Sequence, residues 1–320
     1  MLTTRLLRGA RNQVRHVRPV KTSAASGLVA DVYRQVERDF GMLAPPIALH
    51  APVPEVMAAS WTLLRESLLA DGLASRAAKE VVATAVSEAN HCPYCVAVHG
   101  ASRRRAGEVG DAADALRTWA MRGGDEPFSA EHRAEYLGVA ATFDYLNRMV
   151  NVFLPDSPLP GLPESAAATA GGLLGRVVVR DIAIVPGESV DLLPDAVLPQ
   201  ELAWATPNPT IAAALARASN AFDAAGARSV PDTVRELVLE RVAAPEAGPS
   251  GPSRAWVEDD VARLPAQHRT AGRVALLTAL ASYQIDDALI SAFLAEDNDD
   301  AAVIALTAWA SWAAARRRVA

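Results

Sequence analysis

Along much of the chain apolar residues return every three to four positions, the period at which one face of an α-helix meets a core. PEVMAASWTLLRESLLA, residues 54–70, keeps that period and opens with a proline, a residue suited to a first helical turn. SRAAKEVVATAVSEAN, residues 75–90, keeps it too, with Ser75 placed to cap the helix start. Pro93 then intervenes. Proline inside a helix costs about 3 kcal/mol, whereas at the first helical position its missing N–H costs little. The pattern therefore predicts a break near Asn90 to Cys92 and a new helix from Pro93. Further on, FSAEHRAEYLGVAATFDYLNRMVNVF, residues 128–153, sets Tyr136, Ala140, Phe143 and Val150 on one side of another helix, which Pro155 ends. RVVVRDIAIV, residues 176–185, reads equally as a short strand, a buried helix segment or an extended connector, so no sheet is built on it. The expected fold class is all-α.

Breaks in the pattern suggest the organisation. LPDSPLPGLPES, residues 154–165, is proline-rich and marks a boundary between halves, and APEAGPSGPS, residues 244–253, reads as a loop. At the N-terminus Arg5, Arg8, Arg11, Arg15, Arg18 and Lys21 accumulate with no acid before Asp31 and no apolar run behind them. That is expected to be a flexible basic tail, residues 1–27, and not a secretory signal. Two modules follow, 28–155 and 156–320. The second echoes the first: HRTAGRVALLTALASYQIDDALISA (268–292) lies on SRAAKEVVATAVSEANHCPYCVAVH (75–99) without a gap, and DAAVIALTAWA (300–310) resembles DAADALRTWA (111–120). Under that pairing Ile285, Ala288 and Ala292 stand where the first copy has Cys92, Cys95 and His99, so the second copy is expected to be a degenerate helical repeat.

Composition narrows the function classes. With 51% hydrophobic and 5% aromatic residues the chain can fill a core and leans to helix. A net charge of -6 offers no general field for nucleic acid or an anionic membrane surface, so a small molecule or a protein is the expected partner. AAATAGGLLGRVVVRDIAIVP is interrupted by Arg176, Arg180 and Asp181 before reaching the about 20 apolar residues of a membrane helix. Two cysteines are too few for a secreted disulfide scaffold, and the expected location is the cytoplasm, where a close pair reads as catalytic or metal-binding.

Both cysteines lie in HCPYCVAVH, residues 91–99. If Pro93 starts the helix, Cys92 sits at its N-cap and Cys95 in its first turn, where free backbone N–H groups and the helix dipole stabilise a thiolate. Cys95 and His99 share a helix face at four-residue spacing, so the imidazole can take or return a proton. The spacing of Cys92 and Cys95 lets oxidation of one sulfur be resolved by the other. A base of this kind works better when an acid orients it, and the preceding helix offers Glu80 and Glu88. Glu80, among apolar neighbours, would need a partner, while Glu88 could be a solvated helix end.

KEVVATAVSEANHCPYCVAVHG resembles the signature of the AhpD-like alkylhydroperoxidase and carboxymuconolactone decarboxylase superfamily, a Glu, a CxxC and a following His carried on helices. The family's Glu lies twelve residues before the first Cys, which is Glu80 here. The resemblance covers roughly residues 28 to 155 and implies an AhpD-like helical bundle, usually oligomeric, that reduces hydroperoxides. By position it implies that Cys95 is the peroxidatic thiolate and Cys92 the more exposed resolving thiol that meets the reductant. His99 would relay protons, with Glu80 polarising the relay. Some members carry His just before the second Cys; this chain has Tyr94, a poorer proton shuttle. Asn147 and Arg148 in FDYLNR, with Tyr94 and Glu88, are further candidates for the pocket.

No metal, flavin or nicotinamide site is expected, since the glycines form no GxGxxG after a strand, and electrons are expected from outside, from a thioredoxin-like or lipoyl-bearing partner. The alternatives are a zinc site of His91, Cys92, Cys95 and His99, which has no companion pair of ligands, and a glutaredoxin-like CPYC, which needs a strand before it. Inert packing of two cysteines leaves His99 unexplained. A carboxymuconolactone decarboxylase-like lyase does not need the dithiol, and a non-enzymatic redox sensor would use it to control binding.

Overall fold

A computed structural model describes residues 13–106, 110–158, 182–244, 248–249 and 251–320, and every regular element among them is helical. Most of RVVVRDIAIV, and residues 1–12 of the basic tail, lie outside the described residues. The described end, residues 182–185, carries no helix or strand; Ile184 exchanges hydrogen bonds with Asp71.

The first half contains α1 (Gly27–Asp39), α2 (Pro54–Leu64), α3 (Arg76–Ala89), α4 (Pro93–Ala106), α5 (Asp111–Arg122) and α6 (Arg133–Phe153). The expected start signals operate as chemistry. Pro54 and Pro93 each occupy the first helical position, and Ser75 Oγ accepts the Ala78 N–H at 3.1 Å. The helix expected through Ala70 is not uniform: α2 widens into one π-helical turn, Arg65–Leu69. That turn buries Arg65 among Asp39 (2.7 Å), Glu66 (2.7 Å) and Glu188 (3.0 Å), which ties the chain near residue 188 to the first half.

The second half supplies α7 (Pro209–Ser229), α8 (Asp232–Ala243), α9 (Arg269–Ala281), α10 (Asp287–Leu294) and α11 (Asp300–Arg318). Two helix starts fall on positions that the internal echo pairs: Arg76 with Arg269, and Asp111 with Asp300. Helix α6 is the axis of the molecule. It packs on α3 on one side and on α11 on the other, while α7 lies across α2, so a single apolar core runs through both halves. An apolar stripe on one side of α6 was the expectation; the helix is instead buried nearly all round, because α11 covers the face that a one-sided pattern would leave to solvent. Asp144 and Asn147 are among its fully buried residues. Both must then find partners inside the protein.

Candidate active site

The helix break builds the site. Asn90 closes α3, and His91 turns the chain with φ of 50°, a left-handed conformation that a residue with a Cβ adopts at a cost of about 1–2 kcal/mol. The Cys92 N–H returns to Ser87 O at 3.0 Å and the His91 N–H to Glu88 O at 3.1 Å, which satisfies the end of α3. The Cys92 carbonyl then accepts the Val96 N–H at 3.0 Å and opens α4. Cys92 is therefore at the N-cap and Cys95 in the first turn, both as free thiols.

Glu80 projects from α3 into the seam with α4 and is fully buried. Its Oε2 lies 2.8 Å from His99 Nδ1, and its Oε1 accepts from Arg76 Nε at 2.8 Å. Burial pushes the carboxyl upward, but Arg76 and His99 together outweigh it and hold Glu80 below the usual carboxylate range. An ionised carboxylate only accepts, so Nδ1 of His99 carries the proton and Nε2 is left as the basic nitrogen. Phe143 from α6 holds the ring edge-on, with centroids 4.5 Å apart.

Cys95 and His99 open onto one narrow pocket of about 50 Å³. Its walls are apolar, from Phe40, Met42, Leu64, Phe143, Leu146 and Val150, with Tyr94 as a further polar group. Burial, with the neighbouring thiols, pushes the Tyr94 phenol up, so it stays neutral. Cys92 does not line this pocket. It is 0% exposed against 4% for Cys95, which corrects the expectation that Cys92 is the more exposed thiol. The N-cap position turns its side chain inward, and Pro93 occupies the exposed position beside it. Burial, and next the Cys95 side chain, raise the Cys92 pKa well above the ordinary thiol value, opposed mainly by the Cys95 backbone N–H.

A family model for the Carboxymuconolactone decarboxylase family matches residues 54–127, the span from α2 to just past α5 that contains Glu80, Cys92, Cys95 and His99. An alkyl hydroperoxide reductase of Mycobacterium tuberculosis is 36% identical over a 325-residue alignment covering 95% of this chain and 93% of that protein. The chain belongs to the AhpD-like, carboxymuconolactone decarboxylase superfamily. The family model stops at residue 127, but the mycobacterial relative aligns with nearly all of the chain, so the similarity extends well into the C-terminal half.

Within this AhpD-like frame the remaining candidates divide. Tyr94 reaches the pocket, and Asn147 lies outside it, donating to Ser87 Oγ at 3.0 Å and accepting from Asn90 at 3.2 Å. Arg148, its neighbour, points the other way, to the Ala279 carbonyl at 2.9 Å and to Asp144. Glu88 pairs with Arg117 at the helix end, away from the pocket. His91 is exposed against Tyr283, while Cys92 is buried, so the set weighed as zinc ligands does not converge. Among the described residues no group of three or more His, Cys, Asp or Glu is arranged to hold a metal ion, and no helix is long and apolar enough to cross a membrane. Sequence reasoning missed Arg76 and Asn90. Arg76 was findable from its i, i+4 spacing to Glu80, whereas Asn90 had no signal beyond its place at the break.

Proposed function

We propose that the protein is a thiol-dependent hydroperoxide reductase in which Cys95 is oxidised first, Cys92 resolves it, and the His99–Glu80 pair moves the proton. The observation that carries this reading is that Cys95 and His99 share one apolar pocket while Cys92, three residues before Cys95 at the start of the same helix, is buried outside it. The mycobacterial relative named as an alkyl hydroperoxide reductase supports it.

In the first step the Cys95 thiolate attacks the terminal oxygen of ROOH, and the O–O bond breaks. The departing alkoxide takes a proton and leaves as ROH, and Cys95 becomes a sulfenic acid. His99, held by Glu80, removes the thiol proton beforehand and returns it to the alkoxide. Cys92 then attacks the Cys95 sulfur, water leaves and a disulfide forms. Two electrons from an external dithiol, a thioredoxin-like or lipoyl-bearing protein, restore the thiols. The apolar pocket favours an organic hydroperoxide over hydrogen peroxide. A cytoplasmic location suits a site that must start reduced. A homo-oligomer remains part of the proposal on family grounds, and the C-terminal half is read as a degenerate copy that supports the first.

The test is mass spectrometry with thiols trapped before and after one equivalent of an alkyl hydroperoxide. The parent should form an intramolecular disulfide, Cys92→Ser should hold a sulfenic acid on Cys95, and Cys95→Ser should form neither product. Two unreacted thiols in the parent would overturn the reading and favour a lyase.

A further inference from the structure

We infer that Met42 is a specificity-determining residue: it borders the mouth of the pocket over Cys95, the alkyl group of the peroxide lies against it, and unbranched primary hydroperoxides react ahead of tertiary ones. The inference deepens the peroxidase reading and rests on it for the identity of the substrate.

Exposure around the pocket locates its mouth. Of the residues that line it, only Met42 and Pro46 are partly exposed; all the others are buried, including Cys95 at 4% and His99 at 7%. A molecule from solvent therefore reaches the sulfur past these two side chains. Both lie just beyond α1, Met42 in the connection Gly41–Ala44 and Pro46 in the helical turn Pro45–Ala48. The ends of that connection are fixed. The Phe40 N–H closes α1 on Val36 O at 2.9 Å, and the Ala44 carbonyl accepts from the Ile47 and Ala48 N–H groups at 3.0 Å each. Gly41, with φ of 87°, supplies the bend that brings Met42 to the pocket.

The two rim residues differ in what they can do. The Pro46 ring is held in its helical turn and has no alternative rotamers, whereas methionine is unbranched, with three rotatable bonds. Met42 packs on the core but is only partly covered, so it is the adjustable part of the opening.

Volume decides where the carbon of the substrate goes. The pocket holds about 50 Å³, far below the ~300–1,000 Å³ of sites that enclose a whole organic ligand. That is room for the O–O group and little more. A thiolate attacks the terminal oxygen in line with the O–O bond, so the RO half of the molecule points away from Cys95. Leu64, Val98, Phe143, Leu146 and Val150 are buried and close the other sides, which leaves the mouth as the direction for R. The carbon bonded to oxygen then lies at the level of Met42. A primary carbon presents two hydrogens and one chain there, and fits beside the thioether. A tertiary carbon presents three carbon substituents and must displace it.

The experiment compares two peroxides of equal size and different branching in the full-length protein. Rates of Cys95 oxidation are read by thiol trapping and mass spectrometry in single turnovers with n-butyl and tert-butyl hydroperoxide. The parent should prefer the n-butyl compound, and Met42→Ala should reduce that preference about tenfold, the scale on which an apolar pocket reads one carbon group. Met42→Leu, of similar volume, should keep the parent preference, and Met42→Trp, which fills the mouth, should sharpen it. A ratio of two substrates cancels any loss common to both from partial unfolding, and the tryptophan variant serves if the alanine one does not fold. A preference unchanged in both Met42→Ala and Met42→Trp would overturn the inference, as would a parent that treats the two peroxides alike.

A peroxide-free measurement keeps its failure distinct from that of the peroxidase reading. In Cys92→Ser, where Cys95 is the remaining thiol, alkylation by iodoacetamide and by the bulkier N-phenylmaleimide is timed with and without Met42→Ala. Alanine should accelerate the maleimide about tenfold relative to iodoacetamide, and would do so in a protein that reduced no peroxide at all. An unchanged ratio would refute the role of Met42 even if the parent reduces peroxide.

Discussion

His99 and Glu80, nineteen positions apart in the chain, meet with Nδ1 2.8 Å from Oε2 in the buried seam between α3 and α4. Because Arg76 takes the other oxygen, the carboxylate is satisfied on both sides and keeps its charge without water. The imidazole is thereby set in one tautomer and one orientation, with its free nitrogen on the side of the pocket chemistry.

Glu80→Gln keeps the shape of this contact and removes its charge. Single-turnover oxidation of Cys95 by an alkyl hydroperoxide is expected to slow about a hundredfold, since an imidazolium formed at His99 loses its counter-ion. An unchanged rate would mean that Glu80 is structural. The carboxyl also links to stability. Its folded pKa lies below the ordinary 4.5, so its contribution is present above that value and is lost as pH falls through the window beneath it. Urea midpoints at about pH 6 and about pH 4 should therefore differ more in the parent than in the variant.

His50 gives a second pH dependence of different origin. It is fully buried, with Nε2 2.8 Å from the Tyr145 hydroxyl, and burial lowers its pKa from 6.5 to about 3. Between those values the unfolded chain binds a proton that the native state refuses, so stability must decline as pH drops below 6.5. His50→Gln should flatten the slope of the urea midpoint between about pH 7 and about pH 5. An identical slope would place the titration elsewhere.

Gly226 tests the packing of the two halves. A Cβ there would lie 2.3 Å from Cδ1 of Trp309, whose ring is buried and has no room to retreat. Gly226→Ala is expected to destabilise by about 1–3 kcal/mol, seen as a lower melting temperature, while the folded fraction keeps its dithiol reactivity. A variant as stable as the parent would show that α7 and α11 can separate without cost.

Much of the site could be read along the chain because it is local. Pro93 had to begin a helix, Ser75 had to cap one, and the spacing of Cys92, Cys95 and His99 followed from the helical period. Glu80 was marked as a buried acid in need of a partner, and its partners proved to be Arg76 and His99. What could not be read was set by neighbours distant in sequence. The one-sided pattern of α6 did not reveal that α11 covers its other face, since alanine-rich surfaces pack from either side. Nor could spacing decide which cysteine faces the pocket, because an N-cap side chain points wherever the surrounding helices leave room.

The sequence by itself determined that the protein is helical, where the helix that carries the CxxC begins, and which four residues have the types and spacing for dithiol chemistry. Those properties depend on backbone geometry and on residues within a turn or two of each other. Only the tertiary structure decided that, of the two cysteines, Cys95 alone lines the apolar pocket while Cys92 is buried outside it, and that the C-terminal half braces the Asp144–Asn90–Asn147 chain beside the helix break through Arg318, Ala279 and Ser282. Direction of a buried hydrogen bond is a property of the whole network, and no local pattern encodes it.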